Sequence, residues 1–589
     1  MSSTRSYAQG ATDVPLIERT LGDFFDAMAA RQPDHEALVS RHEGLRFTYR
    51  ELREGADRLA SALLRLGLAP GERVGIWSHN NAAWVLLQIA TAKVGLVLVN
   101  INPAYRTSEV EYALNKVGCA ALVTMARFRT SDYLGMLREL APELADTDAD
   151  GGAELRAARL PTLRHVVWID GAVPAAPAPA DPDARDGEGE GADGDDVPGM
   201  RRFTRLLAGG DPHDPRVAEV QRSLHADEPV NIQFTSGTTG FPKGASLTHR
   251  NILNNGFFIG ECMKLAPADR LCVPVPMYHC FGMVLGSLAC LTHGSTLVFP
   301  NDGFDALSVL ETVQAERCTG LHGVPTMFIA ELDHPRFAEF DLSTLRTGIM
   351  AGTACPIEVM KRVVERMNLR EITIAYGMTE TSPVSCQSST DTPLEKRVAT
   401  VGTVQPHVEV KIVDPVTGET VPRGTPGELC TRGYLVMHGY WGDAPRTREA
   451  IDAEGWMHTG DLATMDAEGY VNIVGRSKDM VIRGGENIYP REIEEFLYGH
   501  PQVQDVQVVG LPDAKYGEEL CAWIIPRPGQ TPTEDDVRAF CAGRIAHYKV
   551  PRYIQFVDAF PMTVTGKIQK FRIREAMRER LGLDEVKTA

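Results

Sequence analysis

Apolar positions along the first hundred residues change period several times. "TLGDFFDAMAARQ" (Thr20–Gln32) places them three and four apart, and "TYRELREGADRLASALLRLGL" (Thr48–Leu68) repeats that spacing up to a glycine-rich stop, so both predict helices. "RVGIWS" (Arg73–Ser78) reads as a short buried strand, and "NAAWVLLQIATAKVGLVLVNIN" (Asn81–Asn102) follows it. Helices alternating with short apolar strands predict an α/β architecture with a substantially parallel sheet. The alternation breaks at about residues 146–199, where Ala, Pro, Asp and Gly surround one strand-like run, "RHVVWID" (Arg164–Asp170). The Pro/Ala and Asp/Gly/Glu part carries too little apolar surface to offset its ordering entropy, which predicts a mobile insertion, with a linker between two domains as the alternative. The pattern changes again near Arg476. Beyond it, "EIEEFLYGH", "VQDVQVVGLP", "ELCAWIIP", "EDDVRAFCAGRIA" and "IQFVDAF" predict the helices and strands of a small α+β unit. The expected division is a large α/β domain over residues 1–477 and a small α+β domain over 478–589.

Composition narrows the function more than the fold. A chain of 589 residues exceeds what one core usually fills. Its net charge of −18 argues against a general affinity for nucleic acid or anionic membrane. Part of that charge is local, since Asp181–Asp196 ("DPDARDGEGEGADGDD") holds eight acids against one arginine. The eleven cysteines form no C-x-x-C pair and no ligand-like pairing with histidine, so the sequence predicts neither a disulfide framework nor a zinc site, and a reducing compartment fits. The first twenty residues lack the apolar run of a signal peptide, and no segment reaches the roughly 18 uninterrupted apolar residues of a transmembrane helix. These readings predict a cytoplasmic protein without stable membrane insertion.

Candidate chemistry concentrates in "QFTSGTTGFPKGASLTHRN" (Gln233–Asn251), which holds three glycines, four threonines, two serines and Lys243. "VNIQF" before it predicts a buried strand, and "THRNILNNGFFIGECM" after it a helix opened by Thr248. A Gly/Ser/Thr loop between strand and helix can hold phosphate: small residues let backbone N–H groups approach the oxygens, hydroxyls donate, and a helix N-terminus favours negative charge. Lys243 would add a mobile positive charge. Because Pro242 precedes Lys243 and Gly244 follows it, this is not the G-x-x-x-x-G-K-[ST] loop. A flexible surface turn is the bland alternative.

"TSGTTGFPKG" (Thr235–Gly244) resembles the phosphate-loop signature of the adenylate-forming enzymes, the group of acyl-CoA synthetases, firefly-type luciferases and peptide-synthetase adenylation domains. "PMYHCFG" (Pro276–Gly282), "AYGMTET" (Ala375–Thr381), "GELCTRG" (Gly427–Gly433), "WMHTGDL" (Trp456–Leu462), "VGRSKDMVIRGGENIYPREIE" (Val474–Glu494) and "PMTVTGKIQK" (Pro561–Lys570) match the same family in order. The text between them is most similar to fatty-acyl-CoA synthetases of the medium-chain type. The resemblance implies a reaction in two steps: a carboxylate attacks the α-phosphorus of ATP and displaces pyrophosphate, then a CoA thiol attacks the acyl-adenylate and releases AMP. Positive charge and Mg²⁺ are needed where two anions meet.

Residue roles follow from the resemblance alone. Lys567 matches the catalytic lysine that bridges carboxylate and phosphate. Thr379 and Glu380 match the residues that hold the α-phosphate and the magnesium, for which Glu380 supplies a hard oxygen. Thr235, Ser236, Gly237, Thr238, Thr239, Gly240 and Lys243 belong to the phosphate loop. Gly352 and Thr353 pass over adenine, with Ala351 replacing a glycine often seen there. Tyr376 would stack on adenine, its alternative being a core tyrosine with a satisfied hydroxyl, and Gly377 and Met378 share its motif. Asp461 and Arg476 would bind ribose. Lys478 sits at the hinge between the domains, and Gly484 and Gly485 line the pantetheine tunnel once the small domain has rotated. His279 resembles the histidine beside the acyl pocket. Met277, Phe281, Met283 and His322–Phe328 are either pocket wall or core. "PMYHCFGMVLGSLAC" contains no Asp or Glu to pair an amino group, so an apolar acyl chain is expected over an amino acid. An adenylation enzyme feeding a carrier protein, and a nucleotide-binding regulator without catalysis, are the alternatives. The expected partners are small molecules (a carboxylic acid, ATP and CoA), with a homodimer left open.

Overall fold

A computed structural model describes residues 4–128, 130–148, 152–171, 173, 197–235, 242–353, 355–476, 479–483, 486–513, 515–542, 544–563 and 567–583. Among the described residues, one large sheet orders the strands Arg201–Arg202, His165–Ile169, Cys119–Met125, Arg73–Trp77, Val97–Asn100, Pro229–Thr235, Lys243–Thr248 and Gly439–Tyr440. Its first six strands pair in parallel and its last two antiparallel. A second large sheet has a parallel centre, made of Glu371–Gly377, Thr347–Met350, Gly320–Gly323, Arg270–Cys272, Thr296–Phe299 and Glu36–Ser40. Antiparallel strands close both of its ends.

The helices between these strands are where the apolar period placed them. Leu21–Arg31 starts where the Thr20 side chain accepts from Asp23 N–H, and it buries Leu21, Phe25, Met28 and Ala29. Tyr49–Arg65 opens with a reciprocal capping box between Thr48 and Glu51, which satisfies amides left without helical partners. Ala82–Lys93 is buried on every side, and its Lys93 ammonium is neutralised by Asp26 at 2.6 Å and by Asp57. Together they form the largest core, continuous with the Phe281–Leu288 segment.

A third, antiparallel sheet joins Tyr7–Gln9, Val408–Val413, Gly427–Gly433, Met457–Met465 and Val471–Arg476. Beyond Arg476, Val481–Arg483, Glu486–Ile488, Val503–Asp513, Gly517–Pro526 and Tyr553–Phe556 form a separate mixed sheet, with the helix Pro490–Tyr498 packed on it around Val481, Ile493, Leu497, Val506 and Val508. The two-part α/β plus α+β layout is therefore present.

Two expectations need correction. The loop after Thr235 does not lead from strand to helix. It returns through Lys243–Thr248, antiparallel to Pro229–Thr235 with Thr235 opposite Lys243, and only then does the helix His249–Cys262 begin at its Thr248 cap. The helix N-terminus is thus one strand-length from the loop, and its first amide partners are Thr248 and Asn251. The break near residues 146–199 is also not wholly low-complexity: Leu155, Ala157, Leu160 and Leu163 are buried in one core with the His165–Ile169 strand beside Cys119–Met125. Residues 174–196, which include the acidic run, lie outside the described residues. No helix among the described residues is long and apolar enough to cross a membrane.

Candidate active site

Strands of the second and third sheets and the C-terminal unit line a cleft of about 550 Å³, within the size range of small-molecule sites. His279, Gly352, Thr379, Asp461, Arg476 and Lys567 all line it. These residues span almost three hundred positions of sequence: Gly352 and Thr379 follow the ends of strands, Arg476 ends one, Asp461 lies within one, and His279 and Lys567 come from connecting segments.

Glu371–Gly377 is the central contributor. Its buried run Ile372–Ala375 fixes the strand in the second sheet, and Tyr376 emerges at the cleft wall. The Tyr376 hydroxyl donates to Asp461 Oδ2 at 2.7 Å, and the Arg476 guanidinium stands 3.2 Å from Asp461 Oδ1. Asp461 and Arg476 are opposed across the antiparallel pair Met457–Met465 and Val471–Arg476. Burial nevertheless raises the Asp461 carboxyl above the ordinary aspartate range, and burial together with Asp461 pushes the Tyr376 phenol well up. The Tyr376 hydroxyl is thus engaged, while its ring remains part of the wall.

The chain then turns through Met378 into the short helix Thr379–Thr381. The Thr379 hydroxyl lies 3.8 Å from Cys280 Sγ. Glu380 is buried, and its Oε1 accepts from Thr235 Oγ1 at 3.1 Å and from the Tyr440 hydroxyl at 2.8 Å. Lys243 Nζ donates in turn to the Tyr440 hydroxyl at 2.9 Å and sits 4.2 Å from the centre of its ring. Lys243 is therefore held rather than mobile, by a cation–π contact and a hydrogen bond on one partner. Tyr440 was not among the residues singled out from sequence. Its place in "HGYWG" carries no periodic signal, although a Gly-flanked aromatic between two matched motifs could have drawn attention to it.

His279 and Lys567 meet across the cleft, with Lys567 Nζ 3.4 Å from His279 Nε2. His279 Nδ1 accepts from the Phe281 N–H at 3.1 Å, which puts the ring proton of the neutral imidazole on Nε2, facing Lys567. Burial and the neighbouring Lys567 hold the His279 pKa well below its ordinary value. Burial lowers the Lys567 pKa, Arg476 adds to that, and Cys280, Glu380 and Asp461 oppose it. Cys280, beside both, has its thiol pushed up by burial to about 11.

Gly352 has φ +91°, a conformation glycine adopts without strain, and carries the chain past Phe281 at the rim beside Thr353. Phe281, Leu285, Pro325 and Thr326 line the cleft near His279, whereas Met277 and Met283 are fully buried core residues. His322 is also buried, fixed between the Leu285 carbonyl and the Ile349 amide. Ser236, Gly237, Thr238, Thr239 and Gly240, together with Lys478, Gly484 and Gly485, lie outside the described residues.

Comparison with known proteins gives the family and the fold. The family described as AMP-binding enzyme matches residues 25–441, and the AMP-binding enzyme C-terminal domain matches residues 492–567. YngI of Bacillus subtilis (strain 168) is 48% identical over 575 residues, covering 96% of this chain and 99% of that protein. The medium-chain acyl-CoA ligase ACSF2 of Bos taurus, a mitochondrial protein, is 45% identical over 584 residues, covering 98% of this chain and 91% of its own. Among solved structures, the anthranilate CoA ligase AuaEII in complex with anthranoyl-AMP superposes with a TM-score of 0.81 at 26% identity, covering 97% of this chain and 99% of that one. The chain belongs to the AMP-binding enzyme family.

Proposed function

We propose that this protein is an AMP-forming acyl-CoA synthetase that activates a short- to medium-chain fatty acid with ATP and transfers the acyl group to CoA. The observation that carries this reading is the delivery of Lys567 into the cleft, 3.4 Å from His279 and facing the Thr379–Glu380 turn and the Asp461–Arg476 pair. In this reading Asp461 accepts from the ribose hydroxyls, Arg476 donates to the same sugar, and Thr379 holds the α-phosphate. Lys567 spans carboxylate and phosphate, where the two anions would otherwise repel. Thr235, Lys243 and the loop between them hold the β- and γ-phosphates, with Tyr440 setting the Lys243 ammonium. Lys478 would be the hinge, and Gly484 and Gly485 the lining of the pantetheine tunnel.

Glu380 fits a magnesium ligand: its oxygen is hard, it sits at the phosphate end of the cleft, and both of its hydrogen bonds fall on Oε1 among the described residues. Mg²⁺ bound there would neutralise phosphate charge. An apolar acid is favoured because Phe281, Leu285 and Pro325 wall the cleft beside His279 and no carboxylate lies in Pro276–Cys290 to pair an amino group. The naming of ACSF2 as a medium-chain ligase supports the same chain length.

The test incubates purified protein with ATP, Mg²⁺, CoA and a mixture of straight-chain, branched and aromatic acids, and reads nucleotide and thioester by mass spectrometry. AMP with a medium-chain acyl-CoA as the dominant product is expected. AMP with enzyme-bound adenylate and no thioester would replace CoA by a carrier protein. ADP, or no turnover with any acid, would overturn the reading.

A further inference from the structure

We propose that Glu428, Cys430 and His458 form a zinc site on the third sheet, separate from the catalytic cleft. The sequence carries no C-x-x-C pair, and the cluster is made by strand pairing instead. Glu428 and Cys430 are two apart on Gly427–Gly433, so they share a face, and Cys430 is the direct register partner of His458 on Met457–Met465. Their donor atoms all lie within 4.8 Å of one another. His458 Nδ1 is 3.5 Å from Cys430 Sγ and 3.0 Å from Glu428 Oε2. A tetrahedral zinc with ordinary bond lengths separates sulfur from nitrogen by about 3.5 Å and oxygen from nitrogen by about 3.3 Å. The two separations from His458 therefore need only a few tenths of an ångström of adjustment to receive the ion.

Two carboxylates beside His458 are already held by their other oxygens. Glu428 Oε1 accepts from the Gly460 N–H at 3.0 Å, which leaves Oε2 turned to the histidine. Asp452 Oδ1 accepts from the amides of Glu454 and Trp456 at 2.9 Å, which leaves Oδ2 3.7 Å from His458 Nε2. A carboxylate behind the far nitrogen of an imidazole is the usual support of a zinc-bound histidine, since it fixes the tautomer that frees the metal-facing nitrogen. The His458 side chain is 36% exposed, so a water molecule can complete four-coordination from the solvent side. Thiolate, imidazole and carboxylate together select a borderline-soft cation over Mg²⁺. Binding replaces the Cys430 thiol proton, which leaves to solvent, and takes the His458 tautomer whose proton faces Asp452. The ion would fasten the ladder three residues before Asp461, where the register shifts between Glu428 and Cys430.

The test uses the reduced, metal-free full-length protein without nucleotide, and Co²⁺ as the spectroscopic probe. One equivalent should produce a near-ultraviolet thiolate-to-cobalt charge-transfer band with visible bands of four-coordinate cobalt, and one equivalent of Zn²⁺ should erase both. Cys430→Ser should abolish the charge-transfer band, while Cys262→Ser, at the one partly exposed cysteine, should leave it intact. Asp452→Asn, a milder change in a solvent-facing turn, should weaken Zn²⁺ binding about tenfold or more. Absence of the band, its survival in Cys430→Ser, or unchanged affinity in Asp452→Asn would overturn the site.

Discussion

Lys567 has the two properties adenylation asks of it, a charge that can be delivered and a place where that charge is costly until an anion arrives. Burial lowers its pKa from the ordinary lysine value of 10.5, so in the free enzyme its proton is lost at lower pH than in an exposed lysine. The sign for activity follows: kcat/KM for ATP, which reports the free enzyme, should fall on the alkaline side with an apparent pKa below 10.5. His279, held neutral well below its ordinary range, should contribute no acidic limb near neutrality. Lys567→Arg keeps its charge at every accessible pH and should lose the alkaline limb, which a pH profile of pyrophosphate release checks. In Lys567→Ala, adenylation should drop about 10²–10³-fold, as for removal of one preorganised donor, while thioester formation from supplied acyl-adenylate largely survives. Equal loss of both half-reactions would remove Lys567 from this role. A second residue-scale prediction concerns Tyr440, whose hydroxyl joins Glu380 to Lys243. Tyr440→Phe leaves two charged groups without that partner and should cost about 1.5–3 kcal/mol in the transition state, roughly a ten- to hundredfold fall in kcat/KM, with unchanged thermal unfolding. A rate within twofold of wild type would show that the hydroxyl does not set either charge.

Elements explain why some of this was legible in the sequence and some was not. Helices such as Tyr49–Arg65 carry a cap, a period and a stop between Thr48 and Gly67, so local physics suffices. The hairpin formed by Pro229–Thr235 and Lys243–Thr248 did not announce itself, because "KGASLT" is short and weakly apolar, and its other neighbour, Gly439–Tyr440, lies almost two hundred residues away. The same distance hides Tyr440, and the 28 positions separating Cys430 from His458 carry no signal of their pairing, whereas Lys567, Glu380 and Asp461 are reached through motif resemblance, not through any local property of a lone charged residue. The Phe281–Leu288 segment is wound as a π-helix, a form that recurs at functional sites, and no sequence period distinguishes it from an α-helix. Gly282 shows what holds it there. An added Cβ would stand 2.4 Å from the Pro276 carbonyl oxygen, the same oxygen that accepts from the His279 N–H. Since the collision is with backbone, Gly282→Ala must open the turn that carries His279. It should destabilise the protein by about 1–3 kcal/mol and lower adenylation together, read as a shifted urea midpoint and reduced acyl-adenylate yield. A stable variant with full adenylation would mean that the turn yields without moving His279.

At the scale of the whole molecule, the question is how one cleft serves two reactions. On the proposed reading Lys567 stands where a carboxylate would meet ATP, and a CoA thiol has to reach that same carbonyl after pyrophosphate leaves. Among the described residues, polar contacts between the C-terminal unit and the rest include Lys567 to His279, Gln504 Nε2 donating to Asp333 Oδ2 at 3.1 Å, the Ile357 N–H donating to Glu495 Oε2 at 3.3 Å, and Arg491 Nη1 donating to the Ile473 carbonyl at 2.8 Å. Polar contacts of this kind between domains break and reform readily, in contrast to the apolar core within each unit. If the C-terminal unit must turn between steps, holding it in place should separate them. Asp333→Cys with Gln504→Cys, joined by a short reducible crosslinker, places that hold at two residues outside the cleft lining. The crosslinked protein should form acyl-adenylate in a single turnover at a rate near wild type, yet make no thioester when CoA is added. Reductant should restore thioester formation within the same sample, which excludes damage from the substitutions themselves. Thioester formation at the uncrosslinked rate while the link is intact would show that one arrangement supports both steps, and the rotation about Lys478 would have to be abandoned.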